Sequence, residues 1–307
     1  MRRCQLASRP FHNLICDMYS TIEKETPMPS VVRVGAVIYD PKVVVIWDII
    51  KDFFLEQGVP MDCVFYTNYE LMVEGLTSGH IHIVWNSPLA WLDAQRSTQG
   101  GCRAIAMRDT DRDRVTHIIV RQDSGINDVA GLRGKTLATG AKDSPQATLL
   151  PIHALHGHGL EPGRDFNVRR FDVMVGKHGD HIGGELDALN SLRSGESDAA
   201  AVLDLNWERW SSDGTAPPRE LRVLTSTDPF DHCNFTVLQS FPREEEERWL
   251  AALFKMSYSN PLHREMMDME GLKAWLPGRT EGYLDLEQAV SEQHFFEKEE
   301  ESGIAQS

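Results

Sequence analysis

The chain is short of positive charge. Its 307 residues carry 31 Lys and Arg against 46 Asp and Glu, a formal net charge of −15 at pH 7. A nucleic-acid-binding surface needs a basic face, so that class of partner is excluded. The same shortage means that an anionic ligand is not steered in from a distance and must be held by local donors. Cysteine is also sparse. Cys4, Cys16, Cys63, Cys102 and Cys233 are odd in number, widely spaced and without a Cys-x-x-Cys pair. That argues against a disulfide framework or a zinc ribbon and leaves buried or idle thiols. Long apolar runs are missing: no stretch approaches the about 20 residues that span a bilayer. The segment from Met1 to Ser30 starts with Arg2 and Arg3 but lacks the apolar core, about 7–15 residues, of a secretory signal. Leu14-Ile15-Cys16 is a poor lipoprotein site because a bulky residue precedes the cysteine. Taken literally, this reads as a cytoplasmic chain in which residues 1–29 are a poorly ordered leader. Nucleophile and phosphate signatures are absent as well: there is no GxSxG, no GxxxxGK[ST] and no HExxH.

What is present recurs. Ile81-His-Ile-Val-Trp-Asn-Ser-Pro-Leu-Ala90 and Lys135-Thr-Leu-Ala-Thr-Gly-Ala-Lys-Asp-Ser-Pro-Gln-Ala147 each run from a strand into a Ser-Pro that opens a helix. Serine is a preferred N-cap, and proline fits the first helical turn, where its missing N–H has no partner anyway. A helix N-terminus at the carboxyl end of a strand is where open α/β sheets bind ligands and where anions are favoured. Tyr66-Thr-Asn-Tyr69, Gly183-Gly-Glu185 and Asp204-Leu-Asn206 look like further turns of this kind. These loops are expected to converge on one small ligand.

The periodicities order the rest. Val31 to Ile38 reads as a strand, Val44 to Gln57 as a helix with an Ile46, Ile49, Ile50, Phe53 and Phe54 stripe, and Met61 to Tyr66 as a strand. A short helix from Tyr69, a strand from Ile81 to Trp85, a helix from Pro88 to Arg96 and a strand from Ala104 follow. This alternation implies a mostly parallel sheet covered on both faces. After a charged turn at Asp109 to Arg114 a second α/β set begins, with a helix predicted from Pro145 to His156. Crossings near Val115–Gln122 and Leu224–Asn234 would make a two-strand hinge that lets two lobes close on a ligand.

Leu132-Arg-Gly-Lys-Thr-Leu-Ala138 with Asp143-Ser-Pro-Gln-Ala-Thr-Leu-Leu-Pro151 resembles the second-lobe opening of phosphonate/phosphite-type substrate-binding proteins of ABC importers. Phe65 to Leu76, Gly79 to Trp85 and Leu192 to Ala201 fit the same family, and the resemblance runs from about Val31 to Leu276. It implies an α/β, type II periplasmic-binding-protein-like fold: two lobes, each a mostly parallel sheet flanked by helices. The expected division is residues 31–116 with 230–296 for the first lobe, 122–224 for the second, and 297–307 as an acidic tail.

The resemblance also implies site residues. The ligand's oxyanion would sit on Ser144 and the turn around Gln146, although Ser144-Pro-Gln146 offers one N–H and one hydroxyl fewer than the family's turn. Tyr39, the turn at Asn86 and the carboxylate of Asp204 match further family positions, and Glu185 falls nearest a family histidine, with His178 and His181 close enough to replace it. From the residues themselves Ser87 joins as an N-cap, and one of Tyr66 and Tyr69 should face the cleft. Lys177-His-Gly-Asp-His-Ile-Gly-Gly-Glu185 leaves three readings open: hydrogen bonds to an anion, a metal held by His178, Asp180 and His181, or a solvated loop. The expected function is a solute receptor of an ABC importer that closes around a small anionic or zwitterionic acid, with an ABC permease as partner, no cofactor, and the periplasmic location its family implies. The alternative is a cytoplasmic enzyme on the same fold, in cofactor biosynthesis or decarboxylation. There His178, His181 or Glu185 would act as acid or base, with or without a metal.

Overall fold

The computed structural model describes residues 31–179 and 184–297. The leader, Asp180, His181 and the tail beyond Glu297 lie outside them.

The first half alternates as its periodicity requires. Strand β1 (Val32–Val37) leads to helix α1 (Lys42–Glu56), which buries Val43, Ile46, Trp47, Ile50, Phe53 and Phe54. Gly58, at φ +72°, ends that helix in a left-handed turn that a side chain would strain. β2 (Met61–Tyr66), α2 (Tyr69–Thr77), β3 (Ile83–Asn86), α3 (Pro88–Ser97) and β4 (Cys102–Arg108) follow. The second set is β5 (Thr116–Arg121), β6 (Thr136–Thr139), α4 (Leu150–Gly157), β7 (Asn167–Arg170), α5 (Glu185–Ser194), β8 (Ala199–Leu203), α6 (Asp204–Asp213) and β9 (Leu221–Ser226). The chain then returns through β10 (Asn234–Leu238), α7 (Arg243–Leu253), α8 (Pro261–Met269), β11 (Trp275–Pro277) and α9 (Leu284–Glu292).

Two sheets result, a six-stranded one ordered β11-β4-β10-β3-β1-β2 and a five-stranded one ordered β7-β6-β8-β5-β9. Both are mixed. The returning β10 inserts antiparallel between β3 and β4, and β5 runs antiparallel between β8 and β9. The two connections between sheets pair with each other: Arg114 and Phe230 exchange backbone hydrogen bonds of 2.8 Å each. These paired crossovers form the two-strand hinge; the first lies just before the Val115–Gln122 segment named from the sequence, which is mostly β5 itself.

Two elements differ from the sequence reading. The helix predicted from Pro145 opens as a π-helical turn (Pro145–Leu149) and becomes α-helical only at Leu150. Pro151 has no N–H for the Ala147 carbonyl, which instead accepts from Gly140 at 3.2 Å, while Leu149 N–H reaches back to Ser144 at 3.1 Å. The chain after Met269, left without elements by its weak periodicity, forms β11 and α9. Helix α9 buries Leu286, Ala289 and Val290 and crosses to the five-stranded side, where Gln293 donates to the Leu149 carbonyl at 2.9 Å and His153 meets Glu292 at 2.7 Å.

Candidate functional site

The turns at the carboxyl ends of β3 and β6 face each other across a loop of the five-stranded lobe. On the six-stranded side Ser87 caps α3. Its hydroxyl accepts the Ala90 N–H at 3.1 Å, and Pro88 occupies the first turn. On the other side Ser144 caps the π-helical turn in the same way, accepting the Ala147 N–H at 3.1 Å. Both serines are fully buried. Segment Gly176–Gly179 fills the gap between them.

That segment is bonded on both faces. Toward its own lobe, Gly176 and His178 donate backbone N–H groups to Asp143 Oδ2 at 2.6 and 3.3 Å, and Gln146 Nε2 donates to the Gly179 carbonyl at 3.1 Å. Gly179 stands against Ser144 so closely that a Cβ would lie 2.3 Å from Oγ. Toward the other lobe, His178 Nδ1 is 2.6 Å from Ser87 Oγ, its Nε2 is 3.4 Å from Glu70, and its ring stacks on Tyr69 at 4.6 Å between centroids. Lys177 Nζ donates to the carbonyls of Ile38, at 2.8 Å, and Thr67. One tautomer satisfies every group: Ser87 O–H donates to Nδ1, Nε2–H donates to Glu70, and Ser87 Oγ accepts from Ala90. Burial would raise the Glu70 carboxyl, but its hydrogen bond with His178, helped by its backbone hydrogen bond and by Lys177, prevails and holds it below its ordinary value. Burial lowers the Lys177 ammonium, with Glu70 opposing. Serine, histidine and glutamate follow one another here as in a hydrolytic triad. The serine hydroxyl is nevertheless covered and committed to a helix cap, so the group makes a contact between lobes rather than a nucleophile.

Beside this contact, on the hinge side, a cavity of about 160 Å³ is left between the lobes. Arg108, Arg114 and His232 line it from β4 and the two crossovers; Gln146, Glu185 and Asn206 line it from the five-stranded lobe. Two of its lining residues each hold a buried polar atom with no partner among the described residues, Gln146 Oε1 and His232 Nε2. Glu185 Oε2 accepts from Leu203 N–H at 2.8 Å and Asn206 Nδ2 at 3.0 Å. Burial pushes the Glu185 carboxyl above its ordinary value, opposed by those two hydrogen bonds. Asp204 is raised for the same reason against the pull of Arg114, 3.3 Å away.

Arg108, 4 % exposed, donates to Asp111 at 2.7 and 2.8 Å and to the Glu270 carboxylate at 2.9 Å. Burial alone would raise the Asp111 carboxyl; Arg108 more than offsets it and holds it well below the usual range. His232 Nδ1 lies 3.1 Å from Cys233 Sγ and 3.5 Å from Asp111 Oδ1, so a ring nitrogen, a thiol and a carboxylate come together. Both oxygens of that carboxylate already receive Arg108 donors, which makes the cluster a buried ion-pair network in its present form. A larger recess of about 680 Å³ lies between α4, β7 and α9, with Lys142 and Thr148 lining it from the segment that carries Ser144.

The residues expected from the sequence divide into three groups. Ser87, Tyr69 and His178 meet at the contact between lobes, and Ser144 and Gln146 approach it from the other side through Gly179. Gln146 and Glu185 also line the cavity, while Asp204 pairs with Arg114 at its edge. Asn86 is not the cap; it lies in β3, fully buried, and donates to Thr236 Oγ1 at 2.8 Å. Tyr39 packs against the core of the six-stranded lobe, and Tyr66 sits over Gly75 with its hydroxyl unpartnered. His181 and Asp180 lie outside the described residues, and with them the metal reading of that loop. Glu70, Arg108, Arg114 and His232 were not singled out from the sequence. The polar run Asp228 to Asn234 at the second crossover was the available signal for His232.

The profile of the family described as ABC transporter, phosphonate, periplasmic substrate-binding protein matches residues 46–283. The probable ABC transporter phosphite binding protein PhnD1 of Prochlorococcus marinus (strain MIT 9301) is 20% identical over 231 residues, 72% of this chain and 74% of that protein. Its solved structure in complex with methylphosphonate superposes with a TM-score of 0.62 and 18% identity, covering 87% of this chain and 99% of that one. The periplasmic aliphatic sulphonate binding protein SsuA of Escherichia coli gives 0.55 and 17% identity, covering 88% and 93%. At these identities the structural likeness carries the fold alone. No helix among the described residues is long and apolar enough to cross a membrane.

Proposed function

The chain belongs to the family of periplasmic substrate-binding proteins of phosphonate ABC transporters, and from that premise we propose that it holds a small acid in the cavity lined by Gln146, Glu185 and His232 and presents it to an ABC permease. One observation carries the placement: two residues that line the same cavity, one from the five-stranded lobe and one from the hinge, each hold a buried polar atom without a partner among the described residues. A buried polar atom left without a partner costs about 1–3 kcal/mol, and a ligand that bonds to it recovers that cost.

The wall sets the chemistry. Of the two arginines in the wall, Arg114 holds one carboxylate, Asp204 at 3.3 Å, whereas Arg108 holds two, so Arg114 is the cation freer to meet an acid group. Gln146 Oε1 is an acceptor, since the amide nitrogen of that residue is committed to Gly179. Glu185 adds a second acceptor on the same side. An acid with a hydrogen-bond donor of its own fits this wall better than a fully ionised dianion: a monoanion with a retained O–H, or a zwitterion with an amine. The small cavity favours ligands of a few heavy atoms. The family's periplasmic setting makes the periplasm the place of capture.

A thermal-shift screen tests the reading with methylphosphonate, phosphite, phosphate, short sulfonates and aminoalkylphosphonates. A ligand at 100 times its dissociation constant adds about 2.7 kcal/mol to stability. At least one of these acids should raise the melting temperature, and Gln146→Leu should abolish the shift. Failure of every acid to stabilise the wild-type protein refutes the proposal.

A further inference from the structure

We propose that Lys177 and His178 form a clasp that closes the chain on itself and confines the ligand to the hinge-side half of the cleft. The turns that the sequence assigned to a ligand in the six-stranded lobe are already in use. The Ile38 and Thr67 carbonyls take the Lys177 ammonium, Ser87 and Glu70 take the two nitrogens of His178, and Tyr69 takes its ring face.

The clasp is held from behind as well as in front. His178 is 5 % exposed and has φ +52°, a left-handed backbone that a side chain adopts at a cost. Such a conformation persists when surrounding contacts over-determine it. Here contacts from its own lobe add to those from the other: Asp143 receives the Gly176 and His178 N–H groups, and Gln146 holds the Gly179 carbonyl. Gln146 therefore bonds the clasp through its amide nitrogen and also lines the cavity. One side chain joins the two halves of the cleft.

Two consequences follow. The contacts that close the lobes are supplied by the chain, so closure does not wait for a ligand, and the binding-competent state is the populated one. Apparent affinity is the intrinsic affinity scaled by that population. The filled outer half also limits ligand length. This inference rests on the proposed cavity only for its effect on affinity; its effect on closure stands alone.

The test uses the full chain and two variants, Lys177→Ala/His178→Ala and the shape-conserving Lys177→Met/His178→Gln. Circular dichroism confirms that each is folded. Small-angle X-ray scattering without added ligand should show a larger radius of gyration for both variants than for wild type. Calorimetric titration with methylphosphonate, or with whichever screened acid stabilises the wild type, should show affinity reduced about tenfold if the closed fraction falls to about one tenth. An unchanged radius overturns the clasp, and so does a variant that binds more tightly, which would mean that the segment competes with the ligand. If the wild type binds none of the acids, the proposed function fails while the scattering comparison still decides the clasp. Should the alanine pair not fold, the Met/Gln pair gives the same two readings.

Discussion

Replacing Gly179 by alanine puts a methyl group where Ser144 already stands. Two costs arise. At φ +67° a residue with a Cβ loses about 1 kcal/mol relative to glycine. The new Cβ would also lie 2.3 Å from Ser144 Oγ and 2.5 Å from Ser144 Cβ. Ser144 cannot step aside, because it is fully buried and its hydroxyl caps Ala147. The loop must lift instead. It then loses the 3.1 Å hydrogen bond from Gln146 to the Gly179 carbonyl, worth about 1 kcal/mol. The total is about 2–3 kcal/mol. Gly176→Ala is the matched control: its φ is +85°, but among the described residues nothing lies within 4 Å of its Cβ, so only the strain remains. In a domain of this size each kcal/mol moves the melting temperature by about 2–4 °C. Differential scanning calorimetry should therefore show a fall of about 2–4 °C for Gly176→Ala and about 5–10 °C for Gly179→Ala. Equal losses in the two variants would refute the close seating of the loop on the Ser144 turn, and with it the facing of the two Ser-Pro helix starts.

Glu185→Gln tests the buried carboxyl. Because burial raises its pKa, the folded protein keeps a proton that the unfolded chain has lost, and stability falls as pH rises from the ordinary glutamate value through the raised one. The variant should melt above wild type near pH 8 and lose that advantage near pH 4, where both carboxyls are protonated; a difference independent of pH would remove Glu185 from the buried wall. Asp111→Ala leaves the Arg108 guanidinium buried with half its partners, and urea denaturation should show a loss of about 3–5 kcal/mol. A loss below about 1 kcal/mol would mean that Arg108 reaches water instead. Ser144→Ala removes an N-cap that is covered by Gly179, so stability should fall by about 1 kcal/mol. Methylphosphonate affinity should change less than threefold, and a tenfold loss measured by titration would return the hydroxyl to the ligand.

Much of this molecule was legible in one dimension. The apolar stripe of α1, the Ser-Pro caps of α3 and of the turn before α4, and the alternation of strand and helix all depend on neighbours close in sequence. Local sterics and periodicity encode them, and the resemblance quoted for the chain rests on the same segments. What tertiary structure decided has the opposite character. Strand β10 is inserted between β3 and β4 from more than a hundred residues away, and β11 is too short to carry a pattern. The Ala147 carbonyl abandons α-helical geometry because of a proline beyond it and a glycine before it. His178, one of two histidines in a glycine-rich stretch, becomes a contact between lobes only because Ser87, Glu70 and Tyr69 arrive from the other sheet. Arg108 enters the cavity wall from the end of β4, and Arg114 and His232 enter it from the crossovers, where no periodicity marks them. Local order determined which turns exist; long-range packing determined what stands between them, since the partners of a buried polar group are chosen by the fold rather than by its neighbours in the chain.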